Sequence, residues 1–263
     1  MSAGPVSPLS EAFTAAGREG RTALVCYLMG GDGGLAATEQ LLLAFDAAGA
    51  DVIELGVPFS DPIADGPTLQ AAALRALQAG TRMADLLALA WRLRGRVRAP
   101  LVLMGYLNPI ESMGGERFAL RAAEAGIKGC IIPDLPLEES AALRECMGSH
   151  GVDLVPLVAP TTGRERAQAI AKSARGFLYT VTVTGVTGAR TELPPDLAER
   201  LCELRAISPV PVAAGFGIAA PAQAAALKGL CDGVVVGSAL VAAHHQGGVP
   251  AAAALVRSLR AAL

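Results

Sequence analysis

Short apolar runs, each closed by glycine, proline or a charge, recur along this chain and alternate with longer stretches in which apolar residues return every three or four positions. The short runs predict strands at residues 22–29, 51–55, 101–106, 129–132, 154–158, 177–181, 211–213 and 233–236. The longer stretches predict helices at 38–48, 68–79, 83–94, 116–125, 138–149, 164–174, 196–205, 219–227, 239–244 and 251–263. A leading helix opens at Ser7-Pro8, an N-cap with proline at the first helical position, and turns Leu9, Phe13 and Ala16 to one side. Glycine-assisted helix stops that feed apolar strands recur at Ala48-Gly49-Ala50-Asp51-Val52-Ile53, Ala125-Gly126-Ile127-Lys128-Gly129-Cys130 and Gly229-Leu230-Cys231-Asp232-Gly233-Val234. Repeated βα units of this number close most naturally into a (β/α)8 TIM barrel, an α/β fold, with the extra N-terminal helix over its N-terminal end. The competitor is an open doubly wound sheet. That fold would place a GxGxxG turn after the first strand, and Gly30-Gly31-Asp32-Gly33-Gly34 does not match it. No linker interrupts the alternation, so residues 1–263 read as a single domain.

Composition narrows the function classes. Hydrophobic residues are 52% of the 263, enough for a large core. Mean hydropathy is +0.44, yet no uninterrupted apolar run approaches the ~20 residues of a membrane span. A net charge of -2 with few aromatics argues against nucleic acid or an anionic membrane as partner. The five cysteines, Cys26, Cys130, Cys146, Cys202 and Cys231, are far apart and show no metal-ligand spacing, so they read as small core hydrophobes in a reducing compartment. No metal is expected, and the N-terminus lacks the features of a signal peptide, which makes the cytoplasm the expected location.

Barrel active sites are built on the loops that follow the strands, and the polar residues of interest fall there. Glu54 stands inside an otherwise apolar predicted strand, followed by a loop stiffened by Pro58, Pro62 and Pro67 that carries Asp61 and Asp65. Two carboxylates in unlike environments suit acid/base chemistry, and burial should raise the pKa of Glu54. The alternative for Glu54 is a structural carboxylate held by donors or an arginine. Asp61 precedes proline and reads equally as a turn former, so Asp65 is the expected second group. Tyr106, Asn108, Asp134, Tyr179, Thr187 and Gly188 also lie at or just past strand ends, although an aromatic inside a strand, such as Tyr179, is more often core. Gly215-Phe216-Gly217-Ile218 and Gly237-Ser238 follow the last two predicted strands, where barrels place a phosphate site. The alternative is that they are tight turns only. The segment from Thr184 to Arg190 reads equally as a ligand-ordered lid or a flexible loop.

The run from Glu54 to Pro62, with Ala64-Asp65-Gly66-Pro67 and Gln70, closely resembles the signature of the tryptophan synthase alpha-subunit family. Met104, Tyr106, Asn108 and Pro109, then Pro133-Asp134-Leu135-Pro136, Ala159-Pro160-Thr161, Thr184-Gly185-Val186-Thr187-Gly188, Gly215-Phe216-Gly217-Ile218 and Gly237-Ser238-Ala239 follow in family order. The resemblance implies cleavage of indole-3-glycerol phosphate to indole and glyceraldehyde 3-phosphate. It implies Glu54 as general acid/base, Asp65 as partner of the indole NH, and Gly188, Gly217, Gly237 and Ser238 around the phosphate. Tyr27, Tyr106, Ile131, Tyr179, Thr187 and Phe216 would line the pocket. It further implies no cofactor in this subunit, and a pyridoxal-phosphate beta subunit met through Phe59, Pro62, Asn108 and Pro109 in an alpha2beta2 assembly. Three rival readings are a stand-alone lyase that releases free indole, a catalytically silent phosphate-binding regulatory barrel, and a sugar-phosphate isomerase on the same scaffold.

Overall fold

The computed structural model describes residues 6–181, 196–215 and 217–263. In chain order these form α1 (Pro8–Arg18), β1 (Ala23–Met29), α2 (Leu35–Ala47), β2 (Val52–Gly56), α3 (Pro67–Gln78), α4 (Met83–Arg92) and β3 (Leu101–Met104). There follow α5 (Leu107–Met113), α6 (Gly115–Glu124), β4 (Ile127–Ile131), α7 (Ala141–Ser149), β5 (Asp153–Val155), β6 (Leu157–Val158), α8 (Arg164–Ser173) and β7 (Leu178–Val181). The chain ends through α9 (Leu197–Ile207), β8 (Val212–Gly215), α10 (Pro221–Ala226), β9 (Gly233–Val236) and α11 (Ser238–Ala262), which breaks at Gly247 and Gly248 into the two helices expected from the sequence.

All strand pairs are parallel, in the order β5-β4-β3-β2-β1-β9-β8-β7-β6. The two ends of that order, β5 and β6, are consecutive in the chain, so the fifth predicted strand closes the barrel by pairing with β4 before Pro156 and with β7 after it. Proline has no N–H to give a ladder and divides the strand, while the Pro156 carbonyl still accepts from the Tyr179 N–H at 3.1 Å.

Alternation along the strands separates two apolar layers. Leu24, Cys26, Leu28, Ile53, Leu55, Leu103, Cys130, Val234 and Val236 pack outward under the helices. Ala23, Val25, Tyr27, Met29, Val52, Val102, Met104, Ile131, Val155, Tyr179 and Val235 fill the barrel. Glu54 has the parity of Val52 and therefore points inward.

At the N-terminal end α1 supplies the floor. Ser7 caps it by accepting from the Leu9 N–H at 3.1 Å, and Leu9, Phe13 and Ala16 are buried. The Phe13 ring lies 5.1 Å from Phe177 and fills the space a side chain at Gly233 would need.

Two expectations are corrected. The third strand stops at Met104, and Asn108-Pro109 sits in helix α5 instead of an exit loop. Pro109 falls in the first turn, where no N–H is missed, and the Asp134 carboxylate from the next βα loop caps the helix by accepting from the Leu107 N–H at 3.0 and 3.2 Å. Only Cys26, Cys130 and Cys231 are core residues; Cys146 is half-buried and Cys202 exposed, because their helices α7 and α9 present outer faces there.

Candidate active site

Glu54 sits in β2 beside Tyr27 of β1 and Val102 of β3, and it is 1% exposed. Its Oε2 is buried without a hydrogen-bond donor among the described residues. A structural carboxylate would be paired, so this orphan oxygen is what a carboxyl kept free for chemistry requires. Burial first, and the negative charge of Asp65 second, push the Glu54 carboxyl up to about 8.

Asp65 lies at the end of the proline-rich loop, directly before the Gly66 N-cap of α3, and is 5% exposed. Its own N–H donates to the Pro62 carbonyl at 3.0 Å, and its carbonyl accepts from Gln70 Nε2 at 2.8 Å. The Tyr106 hydroxyl accepts from the Ala64 N–H at 3.0 Å and donates to the Asp65 carboxylate, while the Tyr106 ring stacks on Phe59 at 5.1 Å. One phenol thus fixes both ends of the loop. Burial raises the Asp65 carboxyl to about 6, the hydroxyl bond of Tyr106 opposing part of the rise. The two carboxyls influence one another and titrate as a pair, with one ionised and one protonated between these values.

Tyr27 and Tyr179 are buried near the carboxylates; loss of water first, and the carboxylate charges second, raise both phenols well above their ordinary range. Tyr27 reaches its place because residue 56 is glycine: a methyl there would collide with the Tyr27 hydroxyl. Ile131 is fully buried between Met104 and Val155.

A cavity of ≈ 120 Å³ joins Tyr27, Glu54 and Tyr179 to the glycine turns, whereas Asp65, Tyr106 and Ile131 are not on its wall. Tyr27, Glu54 and Tyr179 line it together with Gly217, Gly237 and Ser238. Gly217 takes φ +84°, a conformation that side chains rarely adopt, and Gly237 is the N-cap of α11, so backbone is exposed on that wall. A larger cavity of ≈ 710 Å³ runs from Ala64 past Asp134, Leu135 and Leu157 to Thr161. The orphan carboxylate and both glycine turns open onto the smaller one, so volume alone does not locate the chemistry.

Phe59 and Pro62 are half-buried on the loop, Asn108 is exposed and Pro109 half-buried on α5. Asp61 is exposed and bonded to the Ser60 hydroxyl at 2.5 Å, away from the cavity. Thr187, Gly188, Phe216 and the proposed lid lie outside the described residues. The sequence reading missed Thr68 and Leu69 in the cavity wall and named Met104 without placing it there. Met104 was legible, since it shares the inward parity of Val102 at a strand end. It also missed Ile63, an isoleucine 79% exposed at the tip of the loop.

The arrangement offers a poised acid beside an ionisable partner in a largely apolar chamber, with exposed backbone opposite. A model of the family described as tryptophan synthase alpha chain matches residues 13–260. The tryptophan synthase alpha chain of Synechococcus elongatus is 49% identical over 98% of this chain and 97% of its own length. That of Carboxydothermus hydrogenoformans is 48% identical over 90% and 88%. Among solved structures, a Mycobacterium tuberculosis tryptophan synthase chain superposes with a TM-score of 0.92 at 37% identity, covering 98% of both chains. The alpha subunit of Legionella pneumophila gives 0.89 at 35% identity, also over 98% of each.

Proposed function

This chain belongs to the tryptophan synthase alpha chain family, and from that premise we propose how its residues carry the family's reaction. The enzyme is a lyase of tryptophan biosynthesis that cleaves indole-3-glycerol phosphate to indole and glyceraldehyde 3-phosphate and passes indole to a beta subunit. The bond between indole C3 and the glycerol carbon breaks only when the ring can accept its electrons. In our reading the protonated Glu54 carboxyl donates to C3, giving an indolenine with positive charge at nitrogen, and the Asp65 carboxylate stabilises that charge through the ring NH. Glu54, now ionised, takes the proton of the neighbouring glycerol hydroxyl as the carbonyl forms and the bond electrons return to the ring. One proton enters and one leaves on the same side chain, so Glu54 is reset.

The orphan, buried Oε2 of Glu54 is the observation that carries this assignment. Gly217, Gly237 and Ser238, with Gly188, are assigned to the phosphate; Tyr27, Tyr106, Ile131, Tyr179, Thr187 and Phe216 to the pocket; and Phe59, Pro62, Asn108 and Pro109 to the beta contact. Exposed Ile63 fits the same contact. We read residues 1–263 as one barrel domain, without a cofactor of its own and metal-free at the active site, acting in the cytoplasm in an alpha2beta2 assembly whose beta subunit holds pyridoxal phosphate. No described helix is long and apolar enough to cross a membrane.

Indole release from indole-3-glycerol phosphate, followed with and without beta subunit, tests the reading. Asp65→Asn should cut kcat by about 10²-fold or more, as loss of one transition-state charge partner does, and beta should raise the wild-type rate. A full rate in Asp65→Asn would remove Asp65 from the chemistry. High turnover alone with no response to beta would mark a stand-alone lyase.

A further inference from the structure

Away from the barrel mouth, Cys146 on α7, His150 at its C-cap and Glu116 in the first turn of α6 converge on one point. Their ligand atoms all lie within 4.8 Å of one another. We propose that they form a surface binding site for one zinc ion, held by a thiolate, an imidazole and a carboxylate, with a fourth position left for water.

The imidazole tautomer is set by its neighbours. The Ser149 hydroxyl donates to the Cys146 carbonyl at 2.7 Å, so toward the ring it can only accept. His150 Nδ1 lies 3.1 Å from that hydroxyl oxygen and 3.0 Å from the Cys146 carbonyl oxygen. Facing two acceptors, Nδ1 carries the hydrogen, which leaves the lone pair on Nε2. Nε2 stands 3.5 Å from Glu116 Oε1, and the Cys146 thiol donates to Glu116 Oε2 at 3.0 Å. An imidazole whose Nδ1–H is anchored on a backbone carbonyl, with Nε2 aimed at other ligand atoms, has the outer-shell support of a metal-binding histidine.

Spacing and chemistry select the metal. Residues at i and i+4 on a helix share a face, and Cys146 and His150 are so related. Zinc bonds of roughly 2.3 Å to sulfur and 2.0–2.2 Å to nitrogen and oxygen put tetrahedral ligand atoms roughly 3.3–3.6 Å apart; Glu116 already stands 3.5 Å from the imidazole and 3.0 Å from the thiol, and all three groups lie within 4.8 Å. Mixed sulfur, nitrogen and oxygen donors suit zinc better than the hard cations magnesium or calcium. On binding, the Cys146 proton leaves to solvent as the zinc–sulfur bond forms. The ion would tie α6 to α7, the helices before and after β4. The expectation of no metal rested on the spacing of cysteines and of histidines along the sequence, and this is a mixed set from two helices.

The test uses the full, reduced chain titrated with Zn²⁺ alone by calorimetry and with Co²⁺ by absorption. The expected result is one equivalent of either ion, a thiolate-to-cobalt charge-transfer band in the near ultraviolet, and a higher Tm in zinc than in chelator. Cys146→Ser should abolish the band. His150→Ala and Glu116→Gln should each weaken zinc by more than about tenfold, since even loss of an outer-shell partner costs that much. Cys202→Ser, which alters the exposed thiol elsewhere, should change nothing. No near-ultraviolet band in the wild type, a band that survives Cys146→Ser, or a band lost in Cys202→Ser would each overturn the proposal.

Discussion

The two ends of the barrel are lined by the same set of inward-facing strand positions but filled in opposite ways. At the N-terminal end α1 drives Phe13 against Phe177 and over Gly233, and Leu9 and Ala16 are fully buried beside it. Toward the C-terminal mouth the inward position on β2 is Glu54, buried equally well but on the wall of a cavity and with one oxygen unpaired among the described residues. Equal burial therefore has two meanings. Below, it contributes stability through apolar contact; above, it costs stability and sets up a carboxyl that stays protonated near neutral pH.

Substitutions at the two ends should separate these roles. Glu54→Gln should lower kcat for indole-3-glycerol phosphate cleavage by about 10²- to 10⁴-fold, the usual range for a positioned acid/base, while the protein stays folded. Phe13→Ala should do the reverse, costing about 3–5 kcal/mol of stability in denaturant unfolding with kcat changed little. If Phe13→Ala abolished turnover in protein shown to be folded, the ends would not be independent.

The cost of the buried carboxyl should appear as a pH dependence of stability. The folded-state value of about 8 lies above the ordinary 4.5, so the native state holds its proton longer than the unfolded chain. Stability from this group is complete below the ordinary value and is lost as pH rises through about 8. Unfolding of wild type and Glu54→Gln at several pH values should show the variant gaining on wild type between these limits, by on the order of a few kcal/mol, and then a constant difference. A difference independent of pH would mean that Glu54 is ionised or solvated in the native state.

Turnover should follow the same pair. The reaction needs Asp65 ionised and Glu54 protonated, so kcat/KM should rise through about 6 and fall through about 8. The smallest effect is expected at Tyr106. Tyr106→Phe removes the hydroxyl that lowers Asp65 and bonds the Ala64 N–H. The acid limb should move to higher pH, with a loss of about tenfold or less in kcat/KM, the size of one hydrogen bond. An unmoved acid limb would detach Tyr106 from Asp65.

The barrel was legible because its signals are local: apolar runs of strand length, glycine stops, and Ser7-Pro8 at the head of α1. The burial of Glu54 was legible for a related reason, a charge at an inward parity, while that of Asp65 comes from the fold of its proline-rich loop. What the sequence hid depends on contacts between distant segments. Nothing near Asn108-Pro109 announces a helix, because the cap comes from Asp134 one βα unit later. The division of the fifth strand follows from its partners on either side of Pro156, although the proline itself was in plain view. The double anchorage of the loop by Tyr106 and the meeting of Glu116 with Cys146 and His150 join residues 30 or more positions apart, beyond any periodicity.

The most direct test of the account is the titration of Glu54 itself, followed by carbon-13 NMR of its labelled carboxyl, assigned with Glu54→Gln. An apparent midpoint near 8, falling when Asp65→Asn removes the neighbouring charge, is the expected result. A midpoint at the ordinary 4.5, insensitive to Asp65, would show a solvated carboxylate and contradict the acid/base role assigned to it.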